Sequence, residues 1–184
     1  MTILDHMKSM FQYEAMTNNV TINYQVLNSL SWSDTKVQMA YKDDHIEDNQ
    51  ILIGDEKRLQ QILFNLIQNS LKAIQTEGHI NIQAAFDENR NQLKIKVEDN
   101  GMGILPQQMP TIFNRFGIAK RTALGGSEGI GLGLWITKKI VDVYNGEIRA
   151  HSKGHEQGSS FMFSMIFKAH RLNSLRSKFL EPMP

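Results

Sequence analysis

The 184-residue sequence contains no cysteine and carries a formal net charge of only +1. The missing cysteines exclude a disulfide framework and thiolate metal sites, and they fit a reducing compartment. The small net charge leaves no basic footprint for nucleic acid, so no nucleic-acid partner is expected. No apolar run approaches the roughly 20 residues of a membrane-spanning helix, and the N-terminus lacks the apolar centre of a signal peptide. We therefore expect a soluble, cytoplasmic piece of protein.

The apolar residues recur with periods that predict a mixed α/β domain. Helical spacing predicts helices over residues 2–17, 55–75 and 134–144. Alternation of apolar and polar residues predicts strands near 20–26, 37–41, 80–86, 93–97 and 161–167, with short strands at 51–53 and 147–151. This order favours a two-layer α/β sandwich in which helices cover one face of a mixed sheet. Residues 1–168 are expected to form one domain, and 169–184 a tail that is either a helical linker or a disordered end.

The second predicted helix carries a polar stripe beside its apolar face. The apolar face comprises Leu59, Ile62, Leu63, Leu66, Ser70, Ala73 and Ile74. Asn65, Asn69 and Lys72 follow one flank at spacings of i, i+4 and i+7. An asparagine amide oxygen is a ligand for a hard cation such as Mg²⁺, and a lysine one turn away suits a phosphate. A solvated helix flank explains the same pattern.

Asp99 ends a strand on its apolar side. Leu93, Ile95 and Val97 point one way, and a period of two sends Asp99 the same way, while Lys94, Lys96 and Glu98 are predicted to face water. A carboxylate on an apolar face needs a donor, and the exocyclic amine of adenine is one. A turn at Asp99-Asn100-Gly101 is the alternative. Gly101 and Gly103 favour a backbone held close to a flat ligand.

A glycine run precedes the third predicted helix. Gly129, Gly131 and Gly133 lead directly into the apolar stretch that begins at Leu134. Exposed backbone amides at a helix start form an anion site, and phosphate is a natural guest. The run lacks the Gly-Lys-Ser/Thr of a Walker A loop, and it does not follow a strand as the Rossmann fingerprint does. A flexible hinge or tight helix packing remains an alternative.

The order of these motifs resembles the catalytic and ATP-binding domain of sensor histidine kinases, within the superfamily of gyrase, Hsp90, these kinases and MutL. Residues 64–70 look like the family's N box, 99–104 its G1 box, 112–116 its F box and 129–134 its G2 box. The resemblance covers roughly residues 10–167. It implies a Bergerat-type fold with ATP and Mg²⁺ as cofactors.

The resemblance also implies a role for each matching residue. Asn69 matches the Mg²⁺ ligand, Asp99 the adenine-recognising carboxylate, and Lys72 a basic residue that contacts phosphate. The remaining positions implied to line the nucleotide are Gly101, Gly103, Ile104, Phe113, Phe116, Gly129, Gly131, Leu132, Gly133, Leu134 and Ser159, the last standing where the family usually has threonine. The segment 117–128, with Lys120 and Arg121, matches the mobile ATP lid, which Phe113 and Phe116 anchor.

Asn65 bears on whether such a site hydrolyses ATP or transfers its phosphoryl group. ATP-hydrolysing members of the superfamily place a glutamate at this position as the base for water, and an amide cannot take that proton. The substitution therefore points toward a histidine kinase, with Asn65 and Lys72 as its candidate catalytic residues. None of the six histidines lies in the family's acceptor pattern, so the chain is expected to be the catalytic half alone.

The expected partners follow from the same resemblance. They are a separate histidine-containing dimerisation domain and a response regulator receiver domain. The isolated domain is expected to be monomeric and the full-length protein a homodimer, for which both a membrane-anchored and a soluble form are compatible with the resemblance. The alternative function is an ATP-binding regulatory or scaffold module without phosphotransfer.

Overall fold

A computed structural model describes residues 3–27, 50–117 and 131–171 of the chain. Within them the helices are α1 (Ile3–Thr17), α2 (Glu56–Ala73) and α3 (Gly133–Val143), with one 3₁₀ turn at Met109–Thr111. The strands are β1 (Val20–Leu27), β2 (Gln50–Ile53), β3 (Gly78–Asp87), β4 (Gln92–Asp99), β5 (Ile148–His151), β6 (Ser159–Ile166) and β7 (Lys168–Arg171). The predicted strand at 37–41 lies outside the described residues.

The strands of the described part form a mixed sheet, as the alternating pattern predicted. Its order is β1-β3-β4-β6-β5, and a separate two-stranded sheet pairs β2 with β7. β1 runs parallel to β3, and the other neighbours in the larger sheet are antiparallel. The central position of β4 places Asp99 opposite Ile80 of β3 on one side and Ser159 of β6 on the other.

Helix α2 is the main contact between the helical layer and the sheet. Asp55 caps it by accepting a hydrogen bond from the Arg58 backbone N–H at 3.1 Å, which satisfies a donor that the helix itself leaves unpaired. α2 packs against α1 and α3 on its sides and against β3 and β4 beneath it. Every position of the predicted apolar face is buried. The buried residues of α2 are Leu59, Ile62, Leu63, Leu66, Ile67, Ser70, Leu71 and Ala73, and Ile74, just beyond the end of the helix, is also buried.

One continuous core lies between the sheet and the helices. Residues of α1, α2 and α3 join β3, β4 and β6 in this core, which also includes Ile104 and Leu134. Because the helices share one core with one face of the sheet, the prediction of a two-layer α/β sandwich is confirmed.

The opposite face of the sheet is drier than the alternation predicted. Lys96 was expected in water, but it is only 3% exposed, and its Nζ lies 3.0 Å from Glu98 Oε2. The reason is its place on the central strand, where it stands between Gln83 of β3 and Met162 of β6. A long side chain in the middle of a sheet is covered by its cross-strand neighbours even when its own sequence pattern is polar.

The tail also begins differently from the prediction. Lys168–Arg171 forms β7, which pairs antiparallel with β2, so these residues are neither helical nor a free end. After β6, which contains Phe161 and Phe163, the chain passes Phe167 and forms this second strand in a separate sheet. Residues 172–184 lie outside the described part.

Candidate functional site

Four segments meet at one end of the core: the C-terminal half of α2, the end of β4 with the loop after it, the start of α3 and the start of β6. They bring Asn65, Ser70, Asp99, Gly133 and Ser159 into two linked groups of contacts. The two groups are joined by α2, which contributes a residue to each.

The first group surrounds the carboxylate of Asp99, which is 5% exposed. Ser159 Oγ donates to Asp99 Oδ2 at 2.8 Å, and Ser70 Oγ donates to the same oxygen at 3.1 Å. The backbone N–H of Gly101 donates to Oδ1 at 2.9 Å. This hydrogen bond from Gly101 closes the Asx turn that the sequence analysis gave as the alternative to a ligand site. The turn and the buried carboxylate therefore occur together.

Burial raises the pKa of Asp99 above its ordinary value of 3.8. Hydrogen bonds from the Ser159 hydroxyl, the Gly101 backbone and the Ser70 hydroxyl act in the opposite direction, because they favour the charged form. The penalty of burial outweighs them. A buried carboxylate with a perturbed pKa is typical of a ligand site, although structural networks also produce such shifts.

The loop after β4 is held by packing against the protein itself. A Cβ added at Gly101 would lie 2.7 Å from the carbonyl carbon and oxygen of Ala73. Gly103 has a φ of +71°, and a Cβ there would strike the Gly154 carbonyl oxygen. Both glycines thus have a reason within the fold, whereas the sequence suggested only a ligand. Ile104 N–H donates to Ser152 Oγ at 3.0 Å, and its side chain is buried.

The second group joins α2 to α3 through Asn65. Its Nδ2 donates to the Gly133 carbonyl oxygen and to Thr137 Oγ1, both at 3.3 Å. Thr137 is completely buried and was missed by the sequence analysis, since a lone threonine in an apolar helix carries no signal. Asn65 therefore fixes the first turn of α3 against α2.

Asn69 and Lys72 continue along the same flank of α2. Asn69 is half-buried, and no hydrogen bond of its side chain is found within the described part of the chain. Lys72 is exposed in the last turn, about 10 Å along the helix axis from Asn65 at 1.5 Å per residue. Of the three predicted stripe residues, Asn65 is the one with hydrogen bonds to α3 in the described part of the chain.

The start of α3 has no side-chain cap. Leu132 occupies the N-cap position without a side-chain hydrogen bond, and no acidic residue lies in the first turn. Among the residues that the structure describes, no side chain therefore accepts a hydrogen bond from the leading amides of the helix. A Cβ added at Gly133 would approach only Asn65, at 3.6 Å or more, which is ordinary contact. The fold itself does not require glycine at this position.

The segment before the glycine run packs through one of its two phenylalanines. Phe113 packs against the core and lies edge-on to Phe161, with ring centroids 6.4 Å apart. Phe116 is 49% exposed, and the guanidinium of Arg115 lies 5.1 Å from its ring centroid. The Phe116 N–H donates to the Gly131 carbonyl oxygen at 3.2 Å. Lys120, Arg121 and Gly129 lie outside the described residues.

Two surface cavities of about 250 and 470 Å³ run along the outer side of α3. They share Trp135 and Lys139 and are not lined by Asp99 or Asn69. They are therefore separate from the contacts around Asp99. Within the described residues, no helix is long and apolar enough to cross a membrane.

A known protein family matches the part of the chain that contains this site. The family described as "Histidine kinase-, DNA gyrase B-, and HSP90-like ATPase" matches residues 54–169, more than half of the chain. The chain belongs to this family. Its fold and site define it as a catalytic ATP-binding domain.

Within the family, the similar proteins are histidine kinases. The chain is 36% identical over 167 residues to hybrid signal transduction histidine kinase L of Dictyostelium discoideum, covering 85% of this chain and 9% of that protein. It is 35% identical over 132 residues to sensor histidine kinase GacS of Pseudomonas protegens, covering 70% of this chain and 14% of that protein. The chain thus spans only a small part of the length of these relatives.

Solved structures share the fold at low identity. Full-length ShkA in complex with AMPPNP superposes with a TM-score of 0.70 at 22% identity, covering 92% of this chain and 30% of that one. The nucleotide-free catalytic domain of histidine kinase ThkA gives a TM-score of 0.64 at 22% identity, covering 89% of this chain and 90% of that one.

Proposed function

We propose that this chain binds Mg-ATP and donates the γ-phosphoryl group to a histidine on a separate dimerisation segment. The observation that carries the proposal is the double role of α2. Its Ser70 holds the buried Asp99, and its Asn65 holds the uncapped first turn of α3. One helix therefore sets the distance between the Asp99 carboxylate, which is suited to bind a nucleobase, and the first amides of α3, which are suited to bind phosphates.

Asp99 is the proposed acceptor for the exocyclic amine of adenine. It is buried and oriented by three donors, so its position does not depend on the ligand. A preorganised buried acceptor rejects a base that lacks the donor, because the acceptor would then stay unpaired. The loop that carries Gly101, Gly103 and Ile104 forms the adjoining wall.

The first amides of α3 are the proposed phosphate site. Within residues 3–27, 50–117 and 131–171 no side chain caps this helix, and its first turn has no acidic residue, so an anion would meet backbone donors and the positive end of the helix dipole. The space at Gly133 supports the same assignment: no described neighbour excludes a side chain there, so close approach of a ligand is the reason left for glycine. Gly131, Leu132 and Leu134 complete this turn, and Leu134 anchors it in the core.

Asn69 is the proposed protein ligand of Mg²⁺. Its amide lies half-buried on the flank of α2, one turn beyond Asn65. Mg²⁺ is commonly held by one or two protein oxygens together with substrate phosphates, so a single amide fits. When bound, the ion would supply positive charge that offsets the negative charge developing on the phosphates during transfer. Lys72 is proposed to reach the phosphate tail from the next turn.

Asn65 supports transfer over hydrolysis. Its side chain donates both of its observed hydrogen bonds through Nδ2, to Gly133 and Thr137, and it provides no base. Without a base for water, the domain suits an acceptor that brings its own nucleophile. The proposed partners are therefore a histidine-bearing dimerisation domain and, downstream, a receiver domain. Solved ThkA is described in complex with response regulator TrrA, which supports this kind of partner. Use of ATP supports a cytoplasmic location.

The test is phosphotransfer to a separately produced dimerisation segment. The chain is incubated with radiolabelled Mg-ATP and the segment, and we expect label on the segment that is lost in acid and kept in base. The chain alone should take up no such label. Asp99→Asn serves as the matched control, because it keeps the side-chain shape and changes the acceptor. ATP binding without transfer to any such segment would favour a regulatory module instead.

A further inference from the structure

Ser70 is a polar residue in the otherwise apolar face of α2. Its side chain is 1% exposed, and its hydroxyl donates to Asp99 Oδ2 at 3.1 Å. A buried hydroxyl is costly unless it finds a partner. The Ser70 hydroxyl thus hydrogen-bonds to the Asp99 carboxylate rather than to the helix backbone.

The donors around Asp99 are divided unequally between its oxygens. Oδ2 accepts from the hydroxyls of Ser70 and Ser159, whereas Oδ1 accepts from the Gly101 N–H. Each carboxylate oxygen has about two lone-pair positions, so the hydroxyls use the capacity of Oδ2 and leave room on Oδ1. The three donors belong to α2, β6 and the loop after β4, which fixes the rotation of the carboxylate.

We propose that Ser70 is a positioning residue for nucleotide recognition, whose hydroxyl, together with that of Ser159, holds Asp99 so that Oδ1 faces the exocyclic amine of the base. This inference rests on the proposed adenine role of Asp99. Because Ser70 follows Asn69 directly on α2, the same bond also sets the base site relative to the proposed metal ligand.

The electrostatics of the site support this role. Burial raises the pKa of Asp99, and the Ser70 hydrogen bond is one of the few effects that lower it. The groups that lower it come from Ser70 on α2, Ser159 on β6 and Gly101 in the loop, and no charged side chain of the described residues contributes to the shift. Loss of the Ser70 hydroxyl should therefore raise the pKa further and weaken Asp99 as an acceptor.

The experiment compares Ser70→Ala with Ser164→Ala, which removes an equally buried serine hydroxyl on β6 whose hydrogen bonds are to Gln92 and Glu147 and not to Asp99. Binding of Mg-ATP and of Mg-tripolyphosphate is measured by calorimetry. The Asp99 carboxyl resonance is titrated without nucleotide. For Ser70→Ala we expect about tenfold weaker ATP binding, unchanged tripolyphosphate binding and an upward shift of the Asp99 titration. Ser164→Ala should change none of the three.

The outcomes separate this inference from the proposed function. Wild-type ATP affinity in Ser70→Ala, or an unmoved Asp99 titration, would overturn the role of Ser70. Equal loss of ATP and tripolyphosphate binding would also overturn it, since that indicates a general structural effect. If Ser70→Ala does not fold, Ser70→Cys keeps the size with a weaker donor and should move the same readings in the same direction. If Asp99→Asn binds ATP as wild type does, the adenine role fails and this inference fails with it. If only Asp99→Asn loses binding, Ser70 alone is refuted.

Discussion

Replacing Gly101 and Gly133 by alanine, one at a time, separates packing from ligand contact. At Gly101 the new Cβ lies 2.7 Å from backbone atoms of Ala73, so the loop or the end of α2 must move. Such overpacking costs about 1–3 kcal/mol. For a domain of this size each kcal/mol lowers Tm by about 2–4 °C, so we expect Gly101→Ala to melt about 2–12 °C lower.

Gly133→Ala should behave in the opposite way. Its Cβ meets only Asn65 at ordinary distance, and alanine favours helix over glycine, so stability should be unchanged or slightly higher. A methyl group at the first residue of α3 would, however, obstruct an anion that approaches the helix amides. Loss of one such charged hydrogen bond corresponds to about tenfold or more in affinity.

The assay measures both quantities for both variants. Thermal unfolding without nucleotide gives the stability, and calorimetric titration with Mg-ATP gives the affinity. Gly133→Ala with wild-type ATP affinity would refute the phosphate assignment at α3. Gly101→Ala with wild-type Tm would refute the claim that this glycine is required by Ala73.

The remaining predictions concern the other polar residues of the site. Asp99→Asn should abolish ATP binding yet stabilise the nucleotide-free protein at neutral pH. Because the folded pKa is raised, the native carboxylate loses stability as pH rises from 3.8 through the folded pKa, and urea unfolding of the asparagine variant should lack that loss. Asn65→Ala should lower unfolding free energy by about 1–2 kcal/mol through two lost hydrogen bonds, with an effect that is non-additive with Thr137→Val in a double-mutant cycle. Lys72→Ala should change stability by less than about 0.5 kcal/mol, because the side chain is exposed, while weakening binding of ATP more than of adenosine; equal effects on both ligands would argue against a phosphate contact.

Local periodicity carried much of the prediction. The buried face of α2 follows from the 3.6-residue period, and the burial of Asp99 follows from the period of two in β4. These properties depend on neighbours in sequence, which the sequence displays. The overall mixed α/β sandwich followed from the order of such elements.

Contacts between distant segments could not be predicted in the same way. The bond of Asn65 to Gly133 and Thr137, and the partner of Ser70, arise only when α2 meets α3 and β4. The prediction that Lys96 faces water was wrong for a related reason, since the burial of its side chain depends on the strands beside it. Ser70 had a visible signal, a hydroxyl among apolar positions, but its partner could not be identified from the sequence.

The hydrogen bond between Phe116 N–H and the Gly131 carbonyl has a consequence for tolerated change in chain length. In the unfolded chain, the entropy lost on bringing these two residues together grows only with the logarithm of the number of residues between them. Doubling that number costs about 0.6 kcal/mol. By this relation, a short insertion that keeps the hydrogen bond should change the free energy of unfolding by less than about 1 kcal/mol through chain entropy, which urea unfolding of the insertion variant measures.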